Sequence, residues 1–192
     1  RVVEEDEYTA GKIFEALLKT GICMSFSQNS RPASGAEHMI AHLMECKELE
    51  EGIVPNFHGD DVGVCTLAML AYYHRMAAAA EIQAQKETVD WEDVYRFYGA
   101  MSADIRKLNE PENIIDEVSP ELLEQKWPEI CRIIQNIPSY EKCREAMQKA
   151  GCKLTIEDIG KTEAFFAVCT EYSPYMRKRL TLRRMHKMIH PC

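Results

Sequence analysis

The chain has 192 residues, 46% hydrophobic and 28% charged, and its 23 Lys plus Arg stand against 31 Asp plus Glu for a net charge of −8. A chain of this length buries roughly 70% of its unfolded surface when it folds, and the composition excludes a disordered or fibrous protein. No apolar run approaches the ~18 residues of a membrane span, and the acidic balance argues against nucleic acid or an anionic membrane as partner.

Eight cysteines are scattered with no C-x-x-C pair, several of them among apolar residues where a reduced thiol packs as a small hydrophobe. This reads as a reducing, cytoplasmic setting. The first residue is Arg1 and no basic-then-apolar leader follows it, so the chain is expected to be part of a longer translation product.

Apolar residues recur at helical spacing along nearly the whole chain, and no long alternation favours a sheet. The expectation is an all-α bundle of about seven or eight helices, forming one domain over residues 1–192. A first helix is expected over Glu5–Cys23, with Ile13, Phe14, Leu17 and Leu18 on one face and an acidic first turn from Glu4 to Glu7. Gln28–Ser34 reads as a loop. Ser34 and Glu37 then stand three apart like a capping box, which starts a helix at Gly35 that fades near Glu50. A long buried central helix is expected from Asp60 to Gln85, running through the four alanines at 77–80. Later starts are marked by Asp90, Ser119 before Pro120, Ser139, Thr155 with Asp158, and Ser173 before Pro174. Stops are marked by Pro111, Pro138, Gly151 and Gly160.

Three of six histidines, His38, His42 and His58, fall close together in sequence. Residues four apart on a helix project from one face, so His38 and His42 can address one small object, and Cys46 continues their stripe. With His58 folded back by a short connection they make a candidate divalent-metal group suited to Zn, Fe or Ni. The same spacing also suits half-buried polar residues with ordinary partners. E-H-x-x-x-H is not the H-E-x-x-H of metallopeptidases. His74, His186 and His190 have no such company and read as surface or core residues.

The string S-R-P-A-S-G-A-E-H-M-I-A-H (Ser30–His42), followed by F-H-G-D-D-V-G-V-C-T-L (Phe57–Leu67), resembles the helical domain of the sn-glycerol-1-phosphate dehydrogenases. They belong to the wider group of glycerol dehydrogenases, iron-containing alcohol dehydrogenases and dehydroquinate synthases. Weaker likeness runs through Glu15–Gly21 and Tyr175–Leu182. The resemblance implies that His38 and His58 are metal ligands and that His42 faces the substrate, where it binds a hydroxyl or relays a proton. It implies hydride exchange between NAD or NADP and the pair glycerol 1-phosphate and dihydroxyacetone phosphate, with a divalent metal as Lewis acid. The family's third ligand, an aspartate further upstream, has no match here. Its dinucleotide-binding domain is likewise missing, since the nine glycines form no G-x-G-x-x-G cluster. Arg31 and the N–H groups after Ser34 sit where a substrate phosphate can be held. A homo-oligomer is expected, because helices that face an absent domain expose apolar surface. A dehydroquinate synthase-like enzyme and a non-catalytic helical interaction module are the alternative functions.

The stretch Arg177–Lys187 carries six basic residues interleaved with Leu180, Leu182 and Met185. It reads as an amphipathic helix with a basic face, either solvated or turned toward a phosphate or membrane, and no site is assigned to it.

Overall fold

The structure, a computed structural model, describes residues 6–192. Among these the α-helices are α1 (Glu7–Ser27), α2 (Ala36–Glu50), α3 (His58–Met76), α4 (Trp91–Tyr98), α5 (Ser102–Asn109), α6 (Pro120–Gln135), α7 (Tyr140–Lys149) and α8 (Glu163–Tyr172). Two three-residue strands, β1 (Ile82–Ala84) and β2 (Ile189–Pro191), pair antiparallel with Ile82 opposite Pro191. The architecture is all-α, and the short ribbon is its one addition among the described residues. No helix in this range is long and apolar enough to cross a membrane.

Side-chain oxygens set most helix starts, by accepting from backbone N–H groups that have no partner inside the helix. Asp6 accepts from Thr9, Asp90 from Asp93, Ser119 from Leu122, Ser139 from Lys142 and Thr162 from Phe165. Gly151 and Gly160 close their turns at φ +72° and +70°, values that favour glycine. The acidic residues Glu4 and Glu5 lie outside the described residues.

Several expected elements differ. The expected central helix over Asp60–Gln85 starts at His58 and stops at Met76. Alanine favours helix, but tertiary bonds win: the Ala79 carbonyl accepts from the Trp127 indole at 2.9 Å, and Ile82–Ala84 is drawn into the ribbon. Ser34 does not cap α2. Its hydroxyl accepts from Arg179 at 2.9 Å, leaving Gly35 as the cap and Ala36 as the first helical residue. Thr155 and Asp158 exchange side-chain-to-backbone hydrogen bonds, but only a 3-10 turn, Glu157–Ile159, follows, and Ser173–Tyr175 is another. The basic stretch Arg177–Lys187 is not a helix. Arg184, 1% exposed, pairs with Glu87 and with Asn113, while Arg183 reaches the Thr170 carbonyl and Glu171. Partners from three separate stretches of the chain hold this segment in turns, and β2 follows it.

The core has two lobes. The larger is built on α2, whose Met39, Ile40, Ala41, Leu43 and Met44 are at most 1% exposed and pack against Val64, Cys65 and Met69 of α3 and Val94 and Tyr98 of α4. The smaller surrounds Trp127 with Ile82, Ile115, Leu123, Met188 and Ile189, and Met76 and Leu182 touch both lobes. The apolar residues of α1 do not join either: Phe14, Leu17 and Phe26 are 62%, 65% and 86% exposed.

Leu43→Ala should therefore cost about 2–5 kcal/mol in urea unfolding, as a large deletion in a closed core does. Leu17→Ala should change stability by less than about 0.5 kcal/mol. A second expectation concerns acid. The His186 ring, and after it Lys187, hydrogen-bond Glu171 and lower its carboxyl from 4.5 to about 2. A depressed carboxylate contributes stability above its unfolded value and loses it as pH falls through the folded one. Thermal melts should show this contribution fading between about pH 4.5 and pH 2, and Glu171→Gln should flatten that part of the curve.

Candidate metal and anion site

Two helix starts create the site. The core side of α2 is fixed by Met39, Ile40 and Leu43, so positions 38, 42 and 45 fall together on its half-buried edge. His58 is the first residue of α3, and the short link from α2 returns its ring to that edge. Ring centroids of His38 and His42 are 6.3 Å apart, those of His38 and His58 5.4 Å, and those of His42 and His58 4.7 Å with the planes nearly parallel. The three histidines singled out in the sequence thus converge.

Each Nδ1 has a carboxylate partner. His38 meets Glu37 at 2.9 Å, His42 meets Glu45 at 3.1 Å, and His58 meets the other oxygen of Glu45 at 2.5 Å. An ionised carboxylate only accepts, so each Nδ1 donates, and whenever a ring so held is neutral its Nε2 carries the lone pair. No Nε2 of the three bonds to a described residue. Imidazole nitrogens are donors that suit a divalent cation, but the donor atoms close enough to share one belong to His42, Glu45 and His58, and His38 is outside that group. Glu45 is the functional residue that motif reading missed; its signal was present as the i+3 and i+7 neighbour of the two α2 histidines. One donor atom each from His42, Glu45 and His58 lie within 4.8 Å of one another. Cys46 does not join this group, and burial, helped by Glu45, raises its thiol above the ordinary value.

Glu37 also folds back to accept the Gly35 N–H at 2.7 Å. A Cβ on Gly35 would sit 2.6 Å from its carboxylate, so a side chain there would make the Glu37 side chain shift.

Beside the rings lies a cleft of about 300 Å³ lined by His38, His42, Ser30, Ser34, Arg177 and Arg179. Arg179 crosses it to both serines. Burial first, then the nearby charges of Arg177 and Arg31, lowers the pKa of Arg179. None of these three arginines forms an ion pair among the described residues. The loop likeness that named Arg31 thus lies beside two further guanidinium groups from the C-terminal segment. His74 and His186 are structural, held by the Pro138 carbonyl and by Glu171 with the Arg183 carbonyl.

Behind His58 the link is braced by buried charge. Asn56 donates to Asp61 at 3.2 Å and to the Ile159 carbonyl at 2.6 Å, and Lys161 meets Glu48 at 2.5 Å and Asp61 at 3.5 Å. Asp61 is fully buried, and burial pushes its carboxyl up.

No family model and no solved structure matches the chain. Among curated proteins it is 32% identical over 144 residues to the glycerol-1-phosphate dehydrogenase [NAD(P)+] of Methanococcus maripaludis, covering 72% of this chain and 40% of that relative. The protein of the same name from Geobacillus stearothermophilus is 26% identical over 148 residues, covering 77% and 31%. That from Thermococcus kodakarensis is 41% identical over 71 residues, covering 37% and 19%. The chain is a relative of the glycerol-1-phosphate dehydrogenases. It spans 40% or less of the length of these glycerol-1-phosphate dehydrogenases, and the resemblance read from Ser30–His42 and Phe57–Leu67 agrees with them.

Lys161→Met should cost about 3–5 kcal/mol in chemical unfolding, because it leaves Glu48 and Asp61 buried without a cation.

Proposed function

We propose that the chain supplies the helical, metal-holding part of an NAD(P)-linked sn-glycerol-1-phosphate dehydrogenase that interconverts glycerol 1-phosphate and dihydroxyacetone phosphate. The observation that carries this reading is the meeting of three imidazoles, none of whose Nε2 atoms bonds a described residue, beside a cleft lined by Arg177 and Arg179, which form no ion pair among the described residues. His38 and His58 hold the divalent metal, of the Zn, Fe or Ni type, through Nε2. When bound, the metal supplies Lewis-acid activation, and the nicotinamide supplies the hydride chemistry from a domain outside these 192 residues.

The chain's own part is binding, orientation and proton handling. Arg177 and Arg179 hold the substrate phosphate, with the Ser30 and Ser34 hydroxyls beside them. His42, one turn from His38, faces the same cleft, so its Nε2 reaches a substrate hydroxyl and holds or passes its proton. The lone pair left on Nε2 suits it to accept that proton. The eight free cysteines accord with a reducing cytoplasm, and the exposed apolar face of α1 accords with assembly onto further protein, including a second copy.

Equilibrium dialysis against Zn²⁺ should show one weakly held ion per chain, weakened at least tenfold by His38→Ala or His58→Ala. The purified chain should give no NAD(P)H oxidation with dihydroxyacetone phosphate. Failure of both variants to change Zn²⁺ binding would refute the ligand assignment, and turnover by the chain alone would refute the need for an outside nicotinamide domain.

A further inference from the structure

We propose that Glu45 is a positioning residue that sets two histidines at once, holding His42 and His58 with Nδ1 protonated and Nε2 unengaged, as Glu37 does for His38; the proposal rests on the metal-holding reading above. Glu45 is the one carboxylate here with both oxygens in use toward imidazoles, one at 3.1 Å and the other at 2.5 Å. It stands on α2 three residues after His42, and its partner His58 comes from α3, so a single side chain ties the two helices together at the site. The geometry needs such a tie. The side chains of His42 and His58 are 38% and 45% exposed, whereas Glu45 is 18% exposed. Rings this open are free to reorient in water, and a free imidazole there favours the Nε2–H tautomer, which has no Nε2 lone pair to offer. The carboxylate reverses that preference, because it accepts only from Nδ1 as the rings are placed. It also keeps the planes within 21° at a 4.7 Å separation, so both nitrogens are presented from one stack.

The rival role is direct ligation, since donor atoms of His42, Glu45 and His58 lie within 4.8 Å. The two roles differ before any metal is added. As a ligand, Glu45 has no need to determine where the ring proton sits. As a positioning residue, it must.

Long-range ¹H–¹⁵N spectra of the ¹⁵N-histidine-labelled, metal-free chain, taken at a pH where the rings are neutral, read each tautomer directly. His38, His42 and His58 should all appear as Nδ1–H. In Glu45→Ala, His42 and His58 should change to mainly Nε2–H while His38 stays as it was; Glu37→Ala should do the reverse. Glu45→Gln is isosteric and decides the matter if the alanine variant does not fold: its single carbonyl oxygen can serve one ring, so at least one should change. Zn²⁺ affinity should fall roughly 10–100-fold in the same Glu45 variants. The proposal is overturned if the wild-type rings are Nε2–H, or if the folded variants lose Zn²⁺ with no tautomer change, which assigns Glu45 as a ligand. In either case the His38 and His58 assignment still stands or falls on its own dialysis variants.

Discussion

The rotation of α2 about its own axis is the constraint on which the rest depends. Its core residues, Ile40, Leu43 and Met44, are sealed against α3 and leave no freedom to turn. A side chain on a helix changes direction by about 100° per residue, so a small rotation would carry His38, His42 and Glu45 away from His58. Hydrophobic packing on one side thereby fixes polar geometry on the other. Buried charge does the complementary work at the second helix: Lys161, Asp61 and Asn56 hold the link so that α3 begins with His58 facing α2. Neither device touches a substrate, yet both determine where donor atoms stand.

What could be read from the sequence divides along the range of the forces involved. Caps are local, and Asp90, Ser119 and Ser139 act where their spacing places them. The His38 and His42 stripe is local too, and the return of His58 follows from the short connection. Where distant residues compete for a group, local signs fail. Ser34 has the right spacing for a cap, but Arg179, 145 residues away, takes its hydroxyl. The alanine run has the composition of helix, but Trp127 and β2 take its backbone. The basic stretch carried its charges openly in sequence; that Arg184 would be buried against Glu87 could not be seen without the fold. Glu45 was hidden for a different reason, since a glutamate on a half-exposed helix edge is common, and only the ring across from it gives it a task.

The distribution of charge is also instructive. In a chain of net charge −8, Arg177 and Arg179 line one wall of the cleft without an ion pair among the described residues, while Glu37 and Glu45 stand against the imidazoles. The two sets separate an anion-attracting wall from a cation-attracting one within the same small space. Under the function proposed above, that division would receive a ligand with a phosphate at one end and a reacting oxygen at the other.

The β1–β2 ribbon has a consequence for how the chain reaches this state. It joins residues 82–84 to residues 189–191, with α4 to α8 lying between them in sequence. Closing so large a loop costs entropy that is recovered only once the intervening helices have condensed. The ribbon therefore closes late in folding, and Arg184, just before β2, seats against Glu87, just after β1, in the same event. Residues 82–84 are synthesised well before their partners at 189–191, so that closure waits on the helices between them. The basic segment Arg177–Lys187, and with it Arg177 and Arg179 at the cleft, is thus set in place together with the ribbon rather than with the first helices.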